Sequence, residues 1–139
     1  MQIRSATKSD MKDVEKIFKL PELSTATGEY LSAETLSKYM DEKYFLVAED
    51  EGNIIGAMFG ERLKNDGAML WEFAVEESAR GKGIGSALLD VFEKNMISES
   101  RRWVILYAPV KNPKTINFYE KHKYSKGKLH VEFLKYLNK

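Results

Sequence analysis

Apolar and polar residues change their spacing several times along this chain, and each change marks an element. Gln2–Ser5 reads as a short strand. After Thr7 and Ser9, either of which can cap a helix, Met11, Val14, Ile17 and Phe18 recur at helical intervals on one face until Pro21 stops the run. Residues 21–30 are polar and without period, which predicts a loop, and Ser32 then caps a second short helix carrying Leu36, Tyr39 and Met40. Tyr44–Glu49 and Ile54–Leu63 read as strands joined at Asp50-Glu51-Gly52-Asn53. Lys64-Asn65-Asp66-Gly67 turns the second into a third strand at Met69–Val75, so an antiparallel meander is expected.

The helical period returns at Ile84, Leu88, Val91, Phe92 and Met96, with Asp90, Glu93 and Lys94 on the opposite face. Trp103–Tyr107 is the next strand. A helix joins it to the Met69 strand, so the two should run parallel through a right-handed crossover. Asn112 followed by Pro113 is a cap with proline at the first helical position, which starts a further helix at residue 113. In Gly127–Leu137, Leu129, Val131 and Phe133 alternate with His130, Glu132 and Lys135, a pattern that fits a strand, although helical spacing fits it too.

Composition narrows the function classes. A chain of 139 residues with 43% hydrophobic content is expected to form one globular domain, residues 1–139, with a real core. Lys and Arg total 22 against 21 Asp and Glu, and a net charge of +1 gives no electrostatic case for nucleic acid or an anionic membrane. The absence of cysteine excludes disulfides, a thiol nucleophile and cysteine metal sites; with two histidines far apart in sequence, no metal is implied. No signal-type segment and no apolar run near the roughly 20 residues of a membrane span are present, so a cytoplasmic location is expected.

Candidate chemistry begins at Arg80-Gly81-Lys82-Gly83-Ile84-Gly85-Ser86, between the Met69–Val75 strand and the helix that follows. Three alternate glycines leave the backbone free of Cβ atoms, so several N–H groups can converge on one ligand at a helix N-terminus. Arg80 and Lys82 add fixed positive charge, which suits a phosphoester or pyrophosphate. The spacing is not that of a Walker A loop, because no hydroxyl residue follows Lys82, and G-x-G-x-G fits a dinucleotide fingerprint poorly.

The stretch resembles the central motif of the GNAT superfamily of N-acetyltransferases, Arg/Gln-x-x-Gly-x-Gly/Ala, at Arg80, Gly83 and Gly85, with Glu72-Phe73-Ala74-Val75 before it. Asn112 with Phe118-Tyr119-Glu120-Lys121-His122-Lys123-Tyr124 resembles the family's second signature, except that Lys123 stands where glycine is usual. The resemblance covers residues 68–124. It implies an α/β (α+β) fold with a mixed, mostly antiparallel sheet, a splayed parallel pair and flanking helices, and it favours the strand reading of Gly127–Leu137. It implies acetyl-CoA as co-substrate, its pyrophosphate on the backbone of residues 80–86, its arm beside Phe73, Ala74, Val75, Asn112 and Lys114, and Tyr119 near the thioester sulfur. An amine acceptor is the implied partner, and edge strands that pair into homodimers are frequent in the family.

Acetyl transfer needs a base for the amine, donors for the oxyanion and an acid for the leaving thiolate. The splay that the resemblance implies would leave unpaired amides at the end of the Phe73–Val75 strand for the oxyanion, and Tyr119 suits the acid, although an aromatic one turn after Ile116 also reads as core. Glu72 is a lone carboxylate in an apolar strand. It fits a general base with a raised pKa, and equally a half-exposed carboxylate paired with a lysine. Two alternatives stay open: a non-catalytic acyl-CoA-binding or regulatory module, and a nucleotide enzyme using the same glycines for NAD or ATP.

Overall fold

The computed structural model describes residues 1–138. Five strands, β1 (Gln2–Ser5), β2 (Phe45–Asp50), β3 (Asn53–Arg62), β4 (Gly67–Val75) and β5 (Trp103–Ile105), form one sheet in chain order. The pairs β1·β2, β2·β3 and β3·β4 are antiparallel, and β4·β5 is parallel. The helices are α1 (Met11–Ile17), α2 (Ala33–Ser37), α3 (Ile84–Ser98) and α4 (Pro113–Lys121). The mixed, mostly antiparallel sheet expected from the sequence is therefore observed.

Period-two alternation along β2 sorts its residues onto two faces. Leu46 and Ala48 join Met58, Leu70 and the α3 residues Leu88, Phe92 and Met96, whereas Phe45 and Val47 join Phe59, Val14, Phe18 and Leu36 under α1 and α2. The β2–β3 turn has Glu51 at φ 49° and Gly52 at φ 81°, the paired positive values that match a tight hairpin to strand twist. Caps also fall where the sequence puts them: the Ser32 hydroxyl accepts the Thr35 amide at 3.1 Å, and the Asn112 side chain accepts the Thr115 amide at 3.3 Å.

Strand β4 departs from regular pairing in two places. Phe59 pairs with Glu72 and Gly60 with Leu70, which leaves Trp71 as an extra residue in a bulge. Beyond it, Phe73 turns toward α3 and α4, while Ala74 packs with Phe59 and Ala57 on the other face. Pairing with β5 stops at Met69–Ile105, so β4 continues to Val75 with no strand on that side. The two parallel strands therefore splay, and backbone groups of residues 70–75 have no ladder partner there.

The last expected strand does not form. Residues 125–138 carry neither helix nor strand, and Leu129, Val131 and Phe133 are 83%, 78% and 91% exposed. β5 spans Trp103–Ile105 rather than reaching Tyr107, so the sheet offers little edge there. Alternation without a ladder partner leaves backbone groups to water. The segment is held by side chains instead: the Tyr136 hydroxyl donates to Glu29 at 2.9 Å and meets Thr27 Oγ1 at 3.0 Å, and His130 packs edge-on to Tyr107.

Candidate active site

A cleft of about 620 Å³ opens where β4 and β5 part. This is within the usual range for small-molecule sites. Its walls are Phe73, Ala74 and Val75 from β4, Ala79–Gly81 and Gly83–Ser86 from the loop and first turn of α3, and Asn112, Lys114, Thr115, Phe118 and Tyr119 from α4. Leu20 and Glu22 close it from the segment after α1.

The glycine loop is a backbone device. Gly81 and Gly83 have φ of 79° and 82°, and Gly83 caps α3 in the left-handed conformation. No atom lies within 4 Å of where a Cβ would stand on either, so their surface faces open space. The first helical bond runs from the Ala87 amide to the Gly83 carbonyl at 3.0 Å. The amides of Ile84, Gly85 and Ser86 therefore point out of the helix end, where the dipole favours an anion. Arg80 Nε donates to the Val75 carbonyl at 2.9 Å, tying the loop to the end of β4. Gly85 lies against Phe73 and Phe118, whose rings meet at 5.7 Å.

Tyr119 is fixed by the way α4 ends. The Tyr124 amide bonds to the Tyr119 carbonyl at 3.0 Å and the Lys123 amide to the Glu120 carbonyl at 3.1 Å, the paired bonds of a Schellman exit. The Tyr119 and Tyr124 rings meet at 5.5 Å, supplying the apolar contact that accompanies it. This exit requires a left-handed residue at 123, and Lys123 has φ 69°. Lys123→Gly should therefore raise stability by about 1 kcal/mol without changing the site, read as a higher unfolding midpoint. An unchanged or lower midpoint would show that no strain is held there. Burial raises the Tyr119 hydroxyl above the ordinary tyrosine pKa, so it keeps its proton throughout the neutral range.

Glu72 faces away from Phe73, on the sheet side shared with Phe59. It is half-buried, its Oε2 is shielded from solvent, and among the described residues that atom has no hydrogen-bond partner. Desolvation raises its pKa from 4.5 to about 7. No lysine pairs with it among the ion pairs of the described residues.

Of the candidate catalytic and cofactor-binding residues read from the sequence, all except Glu72 and Lys82 line this one cleft. Lys82 is exposed on the loop. Thr115 and Phe118 were not among the candidates, although the first stands about one helical turn after Asn112 and the second directly before Tyr119. Ala79 belongs to the loop before the glycines. Leu20 and Glu22 had no local signal beyond the loop in which they stand, because only tertiary packing brings them here.

A family model for the acetyltransferase (GNAT) domain matches residues 41–126, from the turn before β2 through the exit of α4. The chain belongs to the GNAT family. An acetyltransferase of Photorhabdus laumondii is 33% identical over 84 residues, 60% of this GNAT chain and 58% of that protein, so the match spans under two thirds of the relative. Among solved structures, Ard1 from Thermoplasma volcanium superposes with a TM-score of 0.76 at 27% identity, over 87% of this chain and 80% of that one. Rv2747 from Mycobacterium tuberculosis, solved in complex with CoA and NLQ, superposes with a TM-score of 0.77 at 19% identity, over 92% and 74%, a likeness of fold. No helix among the described residues is long and apolar enough to cross a membrane, and none of their His, Asp or Glu side chains gather into a metal-holding group.

Proposed function

We propose that this GNAT chain transfers an acetyl group from acetyl-CoA to a primary amine by direct attack in a ternary complex. One observation carries the reading: a backbone anion cradle at residues 80–86, a strand end without a ladder partner and a half-buried protonated tyrosine meet in a single cleft. The cradle takes the pyrophosphate of the co-substrate, with Arg80 and Lys82 beside it. The strand-like pantetheine arm lies along β4 where β5 has departed, between Phe73–Val75 and Asn112–Lys114.

The chemistry follows from these placements. The amine nitrogen bonds to the thioester carbonyl carbon, and free amides of β4 stabilise the oxyanion. Glu72, directly or through water, takes the proton that the amine nitrogen loses as it bonds; the carbon–sulfur bond then breaks, and Tyr119 gives its proton to the departing thiolate and regains one from solvent. With no cysteine in the sequence, a thiol acyl-enzyme has no nucleophile. Leu20 and Glu22 offer the acceptor an apolar wall and one carboxylate.

Glu72 gives this reading a pH signature. As a base it must be ionised, so kcat/KM should fall as pH drops below about 7, and Glu72→Gln should lose that limb along with most of the rate. Stability moves in the opposite sense. A carboxyl whose folded pKa is raised binds its proton more tightly when folded, so stability declines as pH rises from 4.5 to about 7. Glu72→Gln should consequently melt higher than the parent at pH 8 and level with it near pH 4. An unshifted pH profile with equal melting at pH 8 would remove Glu72 from the mechanism.

The position of Glu72 outside the cleft lining favours a second reading, a non-catalytic acyl-CoA-binding module. It predicts coenzyme A binding with no thiol release for any amine. Acceptors screened by thiol release separate the two.

A further inference from the structure

Two side-chain bonds lace the exit of α4 to α3, both from residues that follow Tyr119. At the far end, the Tyr124 hydroxyl donates to Glu93 Oε2 at 2.8 Å. At the near end, His122 Nε2 meets the Ser86 hydroxyl at 3.0 Å while His122 Nδ1 lies 2.8 Å from the Phe118 carbonyl. A carbonyl only accepts, so Nδ1 carries the proton toward Phe118, and in the neutral ring Nε2 accepts from the Ser86 hydroxyl. Both ring nitrogens are thereby used, and the ring face packs on Phe118 at 4.3 Å between centroids.

The place of this ring in the fold matters more than the bonds themselves. Ser86 is the third residue of α3, directly after the glycines whose amides form the anion cradle. Phe118 is the neighbour of Tyr119, touches Phe73 across the cleft and lies beside Gly85. His122 is thus a rigid bridge from the cradle wall to the turn of α4 that carries the tyrosine. Ser86 spends its hydroxyl on this bridge, while its backbone amide remains at the helix end.

We propose that His122 is a positioning residue, which fixes the separation between the anion cradle and Tyr119 through the Ser86 hydroxyl and the Phe118 carbonyl. The inference rests on the coenzyme A reading of the cleft. A ligand that spans both ends needs the two walls held at one separation, whereas a ligand that fills only the cradle does not. Without the bridge, part of the binding free energy of the spanning ligand goes into ordering the walls.

Calorimetric titration with two probes tests this. Coenzyme A spans the cleft and ADP occupies the cradle alone. For His122→Ala the dissociation constant of coenzyme A should rise about fivefold or more while that of ADP stays within about twofold. Ser86→Ala removes one hydroxyl and should give the same split even if the larger truncation at 122 impairs folding. Loss of the same bond should make the double variant no worse than about twofold beyond either single one. His122→Gln, with one donor and one acceptor, should recover most of the loss.

Equal weakening of both probes, no weakening of either, or additive single effects would overturn the positioning role. Failure of the parent protein to bind coenzyme A would instead overturn the functional reading on which it rests.

Discussion

Gly83→Glu should weaken coenzyme A binding by at least about a hundredfold while the protein stays folded. Gly83 is the left-handed cap of α3 at φ 82°, exposed, and with no atom within 4 Å of where a Cβ would stand. A side chain there meets no clash with the core. The backbone costs about 1–2 kcal/mol in that conformation, and a carboxylate at the positive end of a helix returns part of it. The same carboxylate stands where an anionic pyrophosphate would approach, so it opposes the ligand by charge and by volume together. Calorimetry with coenzyme A and a thermal melt separate binding from folding. Micromolar affinity in this variant would mean that the glycine loop is not the anion site.

Tyr119→Phe should lower turnover by about a hundredfold and leave coenzyme A affinity within about twofold. The substitution removes one oxygen from a ring whose packing on Phe118 and Tyr124 is otherwise retained. The hydroxyl is buried enough to stay protonated at all working pH values, which is the state a donor to a leaving thiolate needs. Turnover within threefold of the parent protein would assign Tyr119 to packing alone.

Much of the site was readable because its determinants are local. Glycines at 81 and 83 mark positive φ, Asn112 before Pro113 marks a helix start, and Ile84 to Met96 mark one helix face; each depends on a few neighbouring residues. Lys123 was legible in the same way: the motif places glycine there, and the chain adopts the left-handed angle with lysine nonetheless. The order of β2 to β5 followed from short turns and from the single helical crossover, whereas the place of β1 beside β2 had no local signal.

What escaped the sequence depends on long-range geometry. Gly127–Leu137 alternates correctly but finds no ladder, since a strand needs an edge as well as a pattern. The bulge at Trp71 is invisible in residue type, yet it decides which face Glu72 and Phe73 occupy. Leu20 and Glu22 reach the cleft across the fold. His122 read as one letter of a motif, and its bridge to Ser86 spans 36 residues of sequence.

The most direct test of the coenzyme A reading is a thermal melt of the parent protein alone and with acetyl-CoA, coenzyme A, NAD or ATP. At a concentration near 100 times the dissociation constant, a bound ligand adds about 2.7 kcal/mol, enough to raise the midpoint by several degrees. The cleft predicts that rise with acetyl-CoA and coenzyme A, and a clearly smaller one or none with NAD or ATP at the same concentration. An equal or larger rise with NAD or ATP, or no rise with any of the four, would contradict the assignment of residues 80–86 to the coenzyme A pyrophosphate.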